Sequence, residues 1–391
     1  MTDTFTEVTT QSWFSRIRGA LAGLLFGVIF FLGAFPALTW NEKRSIDRTR
    51  ALQEVAALTT SIDPSRLEAS AEGKAVHFSG MATTPDGVKD DTFGISEPVL
   101  KLKRIVEMFQ WEEEKSSKTQ EKMGGSSQTT TTYRYSKVWK DEVISSGDFK
   151  QAEDHQNPSE MLYPNRLVMA EQVTVGAYSL PALLVTKIGD WQEYPVPPTE
   201  KLPESVRQKA KPYGRYLYFG GNPDAPVIGD NRVSFEIVRP HDVTVIAGQK
   251  GNTLEAVVTS SGGEVALLED GVHSPEVMFE IARNENQLAT WLLRLLFFVL
   301  MAVGLALLFN PLKVLADVVP FVGSLVGAGT GIVAVLLAAA LSSATIALAW
   351  LAFRPMIGIP LLVLTVVLFV VAGKRFQHGK SAKAQAATPD A

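Results

Sequence analysis

The sequence predicts a multipass α-helical membrane protein: one N-terminal plus three C-terminal spans, with a large mainly-β, α+β extramembrane domain inserted between spans 1 and 2. Three observations carry this. Residues 19–39 form an uncharged run of 21 residues behind Arg16 and Arg18, and about 20 apolar residues suffice to cross a hydrocarbon core. A second apolar block starts at Trp291 and fills most of the remaining chain. Between the two lies a stretch of β texture and ordinary polarity. The averages of 46% hydrophobic and 20% charged residues resemble those of a soluble protein only because two unlike populations are being averaged.

Span 1 (19–39) is too long for the 7–15-residue core of a signal peptide. Pro36 also disturbs the place where a cleavage site would fall, so the run reads as an uncleaved signal anchor. Span 2 covers 291–309, with Arg294 near enough to its end to snorkel toward the interface. Asn310-Pro311 reads as a helix break. Residues 310–331 (NPLKVLADVVPFVGSLVGAGTG) are too polar and too rich in Gly and Pro for a simple span, and read as an interfacial or re-entrant segment. Residues 332–353 then cross as span 3, Arg354-Pro355 turns the chain, and 356–373 cross back as span 4.

Basic residues set the expected orientation. Lys374, Arg375, Lys380 and Lys383 crowd the tail, residues 374–391, and Arg16 and Arg18 precede span 1. The positive-inside rule therefore makes the 1–18 segment and the tail cytoplasmic. Lys43, Arg44, Arg48 and Arg50 argue the other way. Residues 40–290 become the extracytoplasmic β-rich domain. Residues 41–290 hold 28 of the 37 Lys and Arg and 37 of the 41 Asp and Glu, a net of -9, against +5 elsewhere. The overall -4 is the difference between an acidic domain and basic membrane flanks.

Within the domain, Ile46, Ala51, Leu52, Val55 and Leu58 keep a helical spacing, so span 1 should continue as a stalk until Asp63-Pro64 stops it. Runs such as KAVHFSG, RIVEMFQW, TTTTYRYSKVW, RYLYFGG, VSFEIV and VTVIAGQ are aromatic and β-branched, and are bounded by turn residues. They predict a mainly antiparallel sandwich or barrel-like domain. Residues 112–130 read as a polar, mobile loop. An echo between residues 73–80 and 214–221 suggests two duplicated units, 71–200 and 212–285, with chance similarity of amphipathic strands as the alternative.

The chain contains no cysteine, which rules out disulfide scaffolds, thiolate zinc sites, iron–sulfur clusters and a cysteine nucleophile. A pI of about 5.9 argues against a nucleic-acid partner.

Several segments together resemble the transmembrane protein 43 family, also called LUMA. They are WNEKR (40–44), GKAVHFSG (73–80), RIVEMFQWEE (104–113) with YRYSKVW (133–139), and LKVLADVVPFVGSLVGAGTG (312–331). The matching residues include Trp40, Asn41, Glu42, Arg44, Glu107 and Trp111. The resemblance covers nearly the whole chain with the same one-plus-three spans, and is weakest in 112–130 and the tails. It implies a non-enzymatic membrane protein that self-associates and organises membrane protein complexes. Eukaryotic members reside in the endoplasmic reticulum and inner nuclear membrane, with emerin and lamin partners. With no cysteine and no retention or nuclear signal, this chain reads as a bacterial inner-membrane member, to which those partners do not carry over.

Other candidate features are structural in character. Gly19, Gly23 and Gly27 share one face of span 1 and would let another helix approach closely, either a second protomer or the C-terminal spans. Lys313, Asp317, Pro320, Gly323 and Gly327 mark the interfacial segment, where Lys313 is the helical neighbour of Asp317. The glycines of that segment lack the Lys-Ser/Thr of a phosphate loop. The five histidines show no metal-ligand spacing, Glu112–Glu114 read as a solvated loop start, and no nucleophile motif is present. The expectation is a scaffold without catalytic, cofactor or metal residues, whose partners are membrane lipid, further copies of itself and other membrane proteins. A channel or transporter component built on the broken 310–331 segment is the alternative, and a hydrolase in the extramembrane domain is a third possibility.

Overall fold

A computed structural model of the chain describes residues 3–355 and 359–360. It falls into two units. One comprises Met1–Thr10, Arg50–Gln120 and Ser127–Asn284; the other comprises Gln11–Thr49, Glu121–Ser126 and the chain from Glu285 onward. The expected span 4 (356–373) and the tail (374–391) lie outside the described residues, apart from residues 359–360.

The strands used below are β1 (Asp3–Gln11), β2 (Ala75–Thr83), β3 (Lys101–Glu121), β4 (Ser127–Lys140), β5 (Thr174–Val175), β6 (Tyr178–Ser179), β7 (Tyr216–Phe219), β8 (Asn231–Val238), β9 (His241–Lys250), β10 (Thr253–Glu255) and β11 (Leu267–Asp270). The long helices are α1 (Trp13–Leu58), α2 (Pro275–Ala316) and α3 (Pro320–Phe353).

The first unit is built on two sheets. In one, β1, β4, β3, β8 and β7 lie side by side, with β8 against β3 from Asn231↔Met108 to Val238↔Lys101. In the other, β2 pairs antiparallel with β9 from His241↔Ala82 to Gly248↔Ala75, and β9, β10, β6, β5 and β2 close a ring of five strands. The period-2 alternation of a half-buried strand explains β3: Leu102, Arg104, Val106, Met108 and Gln110 are all buried, with more accessible residues between. Phe93 packs edge-on against Phe235 at 5.2 Å, and Phe78 stacks on Tyr178 at 4.9 Å. Arg104 and Asp90, both nearly inaccessible, neutralise each other at 2.8 Å inside this core. A second cluster joins Leu52 and Val55 of α1 to Met278 and Phe279 of α2 and to Ile246 and Leu267. The stalk is thus a packed helix, ending at Leu58.

Four sequence expectations differ from what is observed. Residues 112–130 are a hairpin rather than a loop: β3 runs to Glu121 and β4 resumes at Ser127. The stretch lacks hydrophobic alternation, but hydroxyl pairs at Ser117–Thr131 (3.0 Å) and Thr119–Thr129 (2.9 Å) tie its strands. Gly124 and Gly125 supply the positive φ angles of the turn. Residues 3–11, expected within a separate cytoplasmic segment, form β1 beside β4 in the first unit's own sheet. The segments 73–80 and 214–221 are not equivalent, since β2 lies against β9 in one sheet and β7 against β8 in the other. Amphipathic alternation alone produced the echo, and the units 71–200 and 212–285 are not repeats.

The fourth difference concerns the second unit. The helix break expected at Asn310-Pro311 is absent, because α2 continues through it to Ala316, and α3 begins at Pro320. Proline in an apolar helix loses one backbone bond without ending the helix when neighbouring groups re-satisfy the backbone. Among the described residues three helices, α1, α2 and α3, are long and apolar enough to cross a membrane, and all are uncovered over most of their apolar length. Their shared core is Ala34, Leu38, Met301, Leu305, Ala334 and Ala338. Gly27 and Gly304 let α1 and α2 touch, since a Cβ on Gly304 would stand 2.6 Å from the Phe31 nitrogen.

Candidate functional site

The charged groups among the described residues of the helical unit gather at its two ends, with the apolar stretches between them. That is where lipid tolerates them, since a charge at membrane depth is costly unless paired.

At one end Glu42, 2% exposed at its side chain, accepts two bonds from Arg294, at 2.6 Å from Nε and 2.7 Å from the terminal nitrogen. Trp350 Nε1 donates to the same carboxylate at 2.7 Å. The guanidinium also lies 4.6 Å from the Trp291 ring centroid. One carboxylate thereby joins all three helices. The bidentate geometry is the strong form of this pairing. Arg294, expected to snorkel outward, turns inward because this partner stands at its own level.

Beside it a polar seam runs between α1 and α2. Asn41 donates to the Thr290 carbonyl (3.1 Å), Arg44 reaches the Thr290 hydroxyl (3.2 Å), and Asn286 donates to the Ser45 carbonyl (2.9 Å). Arg44 Nε and Asn286 Oδ1 have no hydrogen-bond partner.

At the other end Asp317, fully buried in the turn between α2 and α3, pairs with Arg16 of α1 and with Lys313 at 3.2 Å. Lys313 also meets Glu121 at 2.9 Å, and Arg16 donates to the Gly125 carbonyl at 2.7 Å. Trp13 Nε1 donates to the Val314 carbonyl (2.9 Å) and the Gly124 N–H to the Val318 carbonyl (3.0 Å). Glu121, outside the spanning helices, has its pKa lowered first by the hydrogen bond from Lys313. One oxygen of Asp317, Oδ1, has no partner.

The sequence-predicted residues divide between these features. A Cβ added to Gly23 would stand 3.7 Å from Leu307 and one added to Gly27 would stand 3.0 Å from the Gly304 carbonyl, so the glycine face packs within the chain, whereas a Cβ on Gly19 would meet nothing within 4 Å. Pro320 opens α3, Gly323 lies against Asp317, and Gly327 leaves room for the Lys313 stem, 2.9 Å from a would-be Cβ. Asn41, Glu42 and Arg44 belong to the end just described, while Trp40 is exposed. Glu107 and Trp111 lie in the first unit. Glu107 receives two 2.8 Å bonds from Arg232, and Trp111 stands edge-on to His155 at 4.7 Å.

Sequence reasoning missed Arg16, Glu121, Arg294 and Trp350 as partners in these clusters. Each is remote in sequence from what it binds, and only a helix register could have joined them.

The first unit holds a groove of about 740 Å³ lined by residues including Glu160, Lys209, Lys211, Phe219 and Asn231. Lys211 is already committed to the carbonyls of Gly220 and Gly221. A second cluster seats buried His155 on Tyr135, with ring centroids 3.7 Å apart. Burial and then a bond to Glu113 push Tyr135 up to about 12, a value that keeps the phenol protonated and suits a structural donor. Among the described residues no group of three or more His, Asp or Glu is placed to hold a metal ion.

A family model described as Transmembrane protein 43 matches residues 108–355. Transmembrane protein 43 of Rattus norvegicus is 32% identical over 372 residues, 92% of each chain. The Homo sapiens protein of that name is 30% identical over 383 residues, 94% of each. A Drosophila melanogaster homolog is 30% identical over 345 residues, 86% of this chain and 90% of its own. No solved structure matches the chain.

Proposed function

We propose that this chain, which belongs to the transmembrane protein 43 family, is a non-enzymatic integral membrane scaffold that self-associates and organises membrane protein complexes. Its β-rich unit supplies the protein-binding surface. One observation supports this reading above the others: the buried ionisable side chains of the helical unit are engaged in holding helices together. Glu42 is bound by Arg294 and Trp350, and Asp317 by Arg16 and Lys313. Catalysis would need such groups presented to a cleft, and transport would need them along a path through the membrane. The absence of cysteine favours a bacterial inner membrane.

Cross-linking of the full chain in its native membrane, followed by identification of what it captures, tests the proposal. Copies of itself together with other membrane proteins are expected. A strictly monomeric protein that captures no membrane partner overturns it.

A channel or transporter component is the second reading, supported by Asp317, whose Oδ1 is buried without a partner at the α2–α3 turn. Reconstituted flux abolished by Asp317→Ala would favour it over the scaffold; absence of flux from the wild-type protein would dismiss it.

A further inference from the structure

We propose that His241, at the start of β9, is a proton-operated latch that holds residues 189–191 in place and releases them as its imidazolium loses a proton. Both ring nitrogens face acceptors. Nδ1 stands 2.8 Å from the Arg239 carbonyl and Nε2 stands 2.8 Å from Asp270 Oδ1. An imidazolium has an N–H for each, whereas a neutral ring has only one. Loss of the proton therefore sets a lone pair against one of the two oxygens, and removes the cation beside Asp270.

The latch acts through Asp270, the last residue of β11. Both of its carboxylate oxygens accept the Gly189 N–H, at 3.0 Å each. The approach is so close that a Cβ on Gly189 would stand 2.6 Å from Oδ2. The next residue, Asp190, has a φ of 56°, the one positive value outside glycine among the described residues. An L side chain resists that left-handed conformation, so the backbone relaxes when its anchor slips. The carboxylates of Asp190 and Asp270 both favour the charged ring. With the ring neutral, that attraction is gone and their mutual repulsion remains.

The movement is bounded on both sides. Before it, the buried ammonium of Lys101 in β3 donates to the Thr186 and Ile188 carbonyls. Burial lowers the Lys101 pKa and Asp270 opposes the shift. After it, Gln192 pairs with Ile237 of β8. Trp191, 40% exposed and with the Lys101 nitrogen 5.8 Å from its ring centroid, is the large side chain that shifts. The remaining charged or titratable groups nearby have other partners. His273 donates to the Asp270 carbonyl at 2.9 Å, Lys187 to the Ala266 carbonyl at 2.6 Å, and Asp190 accepts from the Gln192 amide at 2.9 Å. Arg239 and Asp242 flank the ring in sequence.

The sign follows from the same contacts. Burial opposes the charge on His241, but the Arg239 carbonyl and Asp270 outweigh it and carry the pKa above 6.5. The segment is held below that value and freed as pH rises through the folded-state one.

Hydrogen–deuterium exchange of the full-length protein in detergent micelles, normalised for the intrinsic effect of pH, reads the Gly189 N–H in peptides covering 186–194. From pH 6 to 8.5 protection there should fall by up to about tenfold per pH unit above the His241 midpoint, while peptides of β2 keep theirs. His241→Gln should show low protection at both pH values, and His273→Gln should keep the wild-type fall. Asp270→Asn, which preserves shape and removes the charge, should flatten the profile and serves if His241→Gln does not fold. Equal protection at the two pH values in the wild type overturns the proposal. So does a parallel loss in β2, which marks global unfolding, a wild-type profile in His241→Gln or Asp270→Asn, or a fall that disappears with His273.

Discussion

Removing Arg294 should destabilise the helical unit far more than loss of a surface charge. Arg294→Met deletes two charge-assisted bonds of 2.6 and 2.7 Å and leaves Glu42, 2% exposed, with the single indole donor of Trp350. Breaking a buried pair by removing one partner costs about 3–5 kcal/mol, because an uncompensated charge remains. An exposed pair costs at most about 1 kcal/mol. Methionine preserves most of the stem volume, so the loss is electrostatic rather than a cavity. Glu42→Gln on its own leaves Arg294 without its counter-charge and should cost a similar amount. The double variant removes both charges and keeps an acceptor for Trp350, so it should lie well above the sum of the singles. Denaturation of the full chain in detergent micelles, followed by tryptophan fluorescence, measures all four forms of this cycle. A single-variant loss under about 1 kcal/mol, or losses that simply add, would refute the claim that this carboxylate ties the three helices.

Gly304→Leu should cost at least the 1–3 kcal/mol typical of overpacking, because a Cβ there already stands 2.6 Å from the Phe31 nitrogen. Gly19→Ala, with open space around it, should be neutral or gain up to about 1 kcal/mol in helix propensity; the same denaturation series reads both. His241 contacts Asp270 at 2.8 Å, and although burial alone would lower its pKa, the Arg239 carbonyl and Asp270 carry it above 6.5. A raised folded-state value means that the contribution is complete below the unfolded value and is lost as pH rises through the folded one. The wild-type protein should therefore lose more thermal stability than His241→Gln between pH 5.5 and 8.5; equal losses would refute this. Because β1 belongs to the β unit, Thr6→Cys and Val258→Cys, both exposed, should react together with an impermeant maleimide in sealed vesicles of one orientation. Labelling of one alone would show that β1 does not pair with β4 in the membrane.

That last experiment addresses a conflict within the sequence itself. The positive-inside rule counts basic residues beside spans and places residues 1–18 opposite the domain. The pairing of β1 with β4 places residues 3–10 in the same unit as 50–120 and 127–284. A charge rule has no term for strand pairing, so the sequence could not have revealed the second fact. The apolar spans were legible because lipid imposes uncharged runs of fixed length. The β unit was legible because half-buried strands alternate, as Leu102, Val106 and Met108 do. Residues 112–121 were not, since hydroxyl pairs rather than buried side chains hold that ribbon. Pro311 misled because proline breaks helices in water more reliably than in lipid.

The ion pairs could have been read with one further step. Residues 16 and 317, 27 and 304, 41 and 290, and 45 and 286 all fit nearly the same antiparallel register between α1 and α2. Apolar runs of 21 and about 19 residues, aligned at their centres and antiparallel, set Glu42 within about two turns of Arg294 and Arg16 within about one turn of Asp317. Charges are scarce in such helices and each needs a partner at its own depth. The few that are present therefore fix the register, and with it the contact of Gly27 with Gly304.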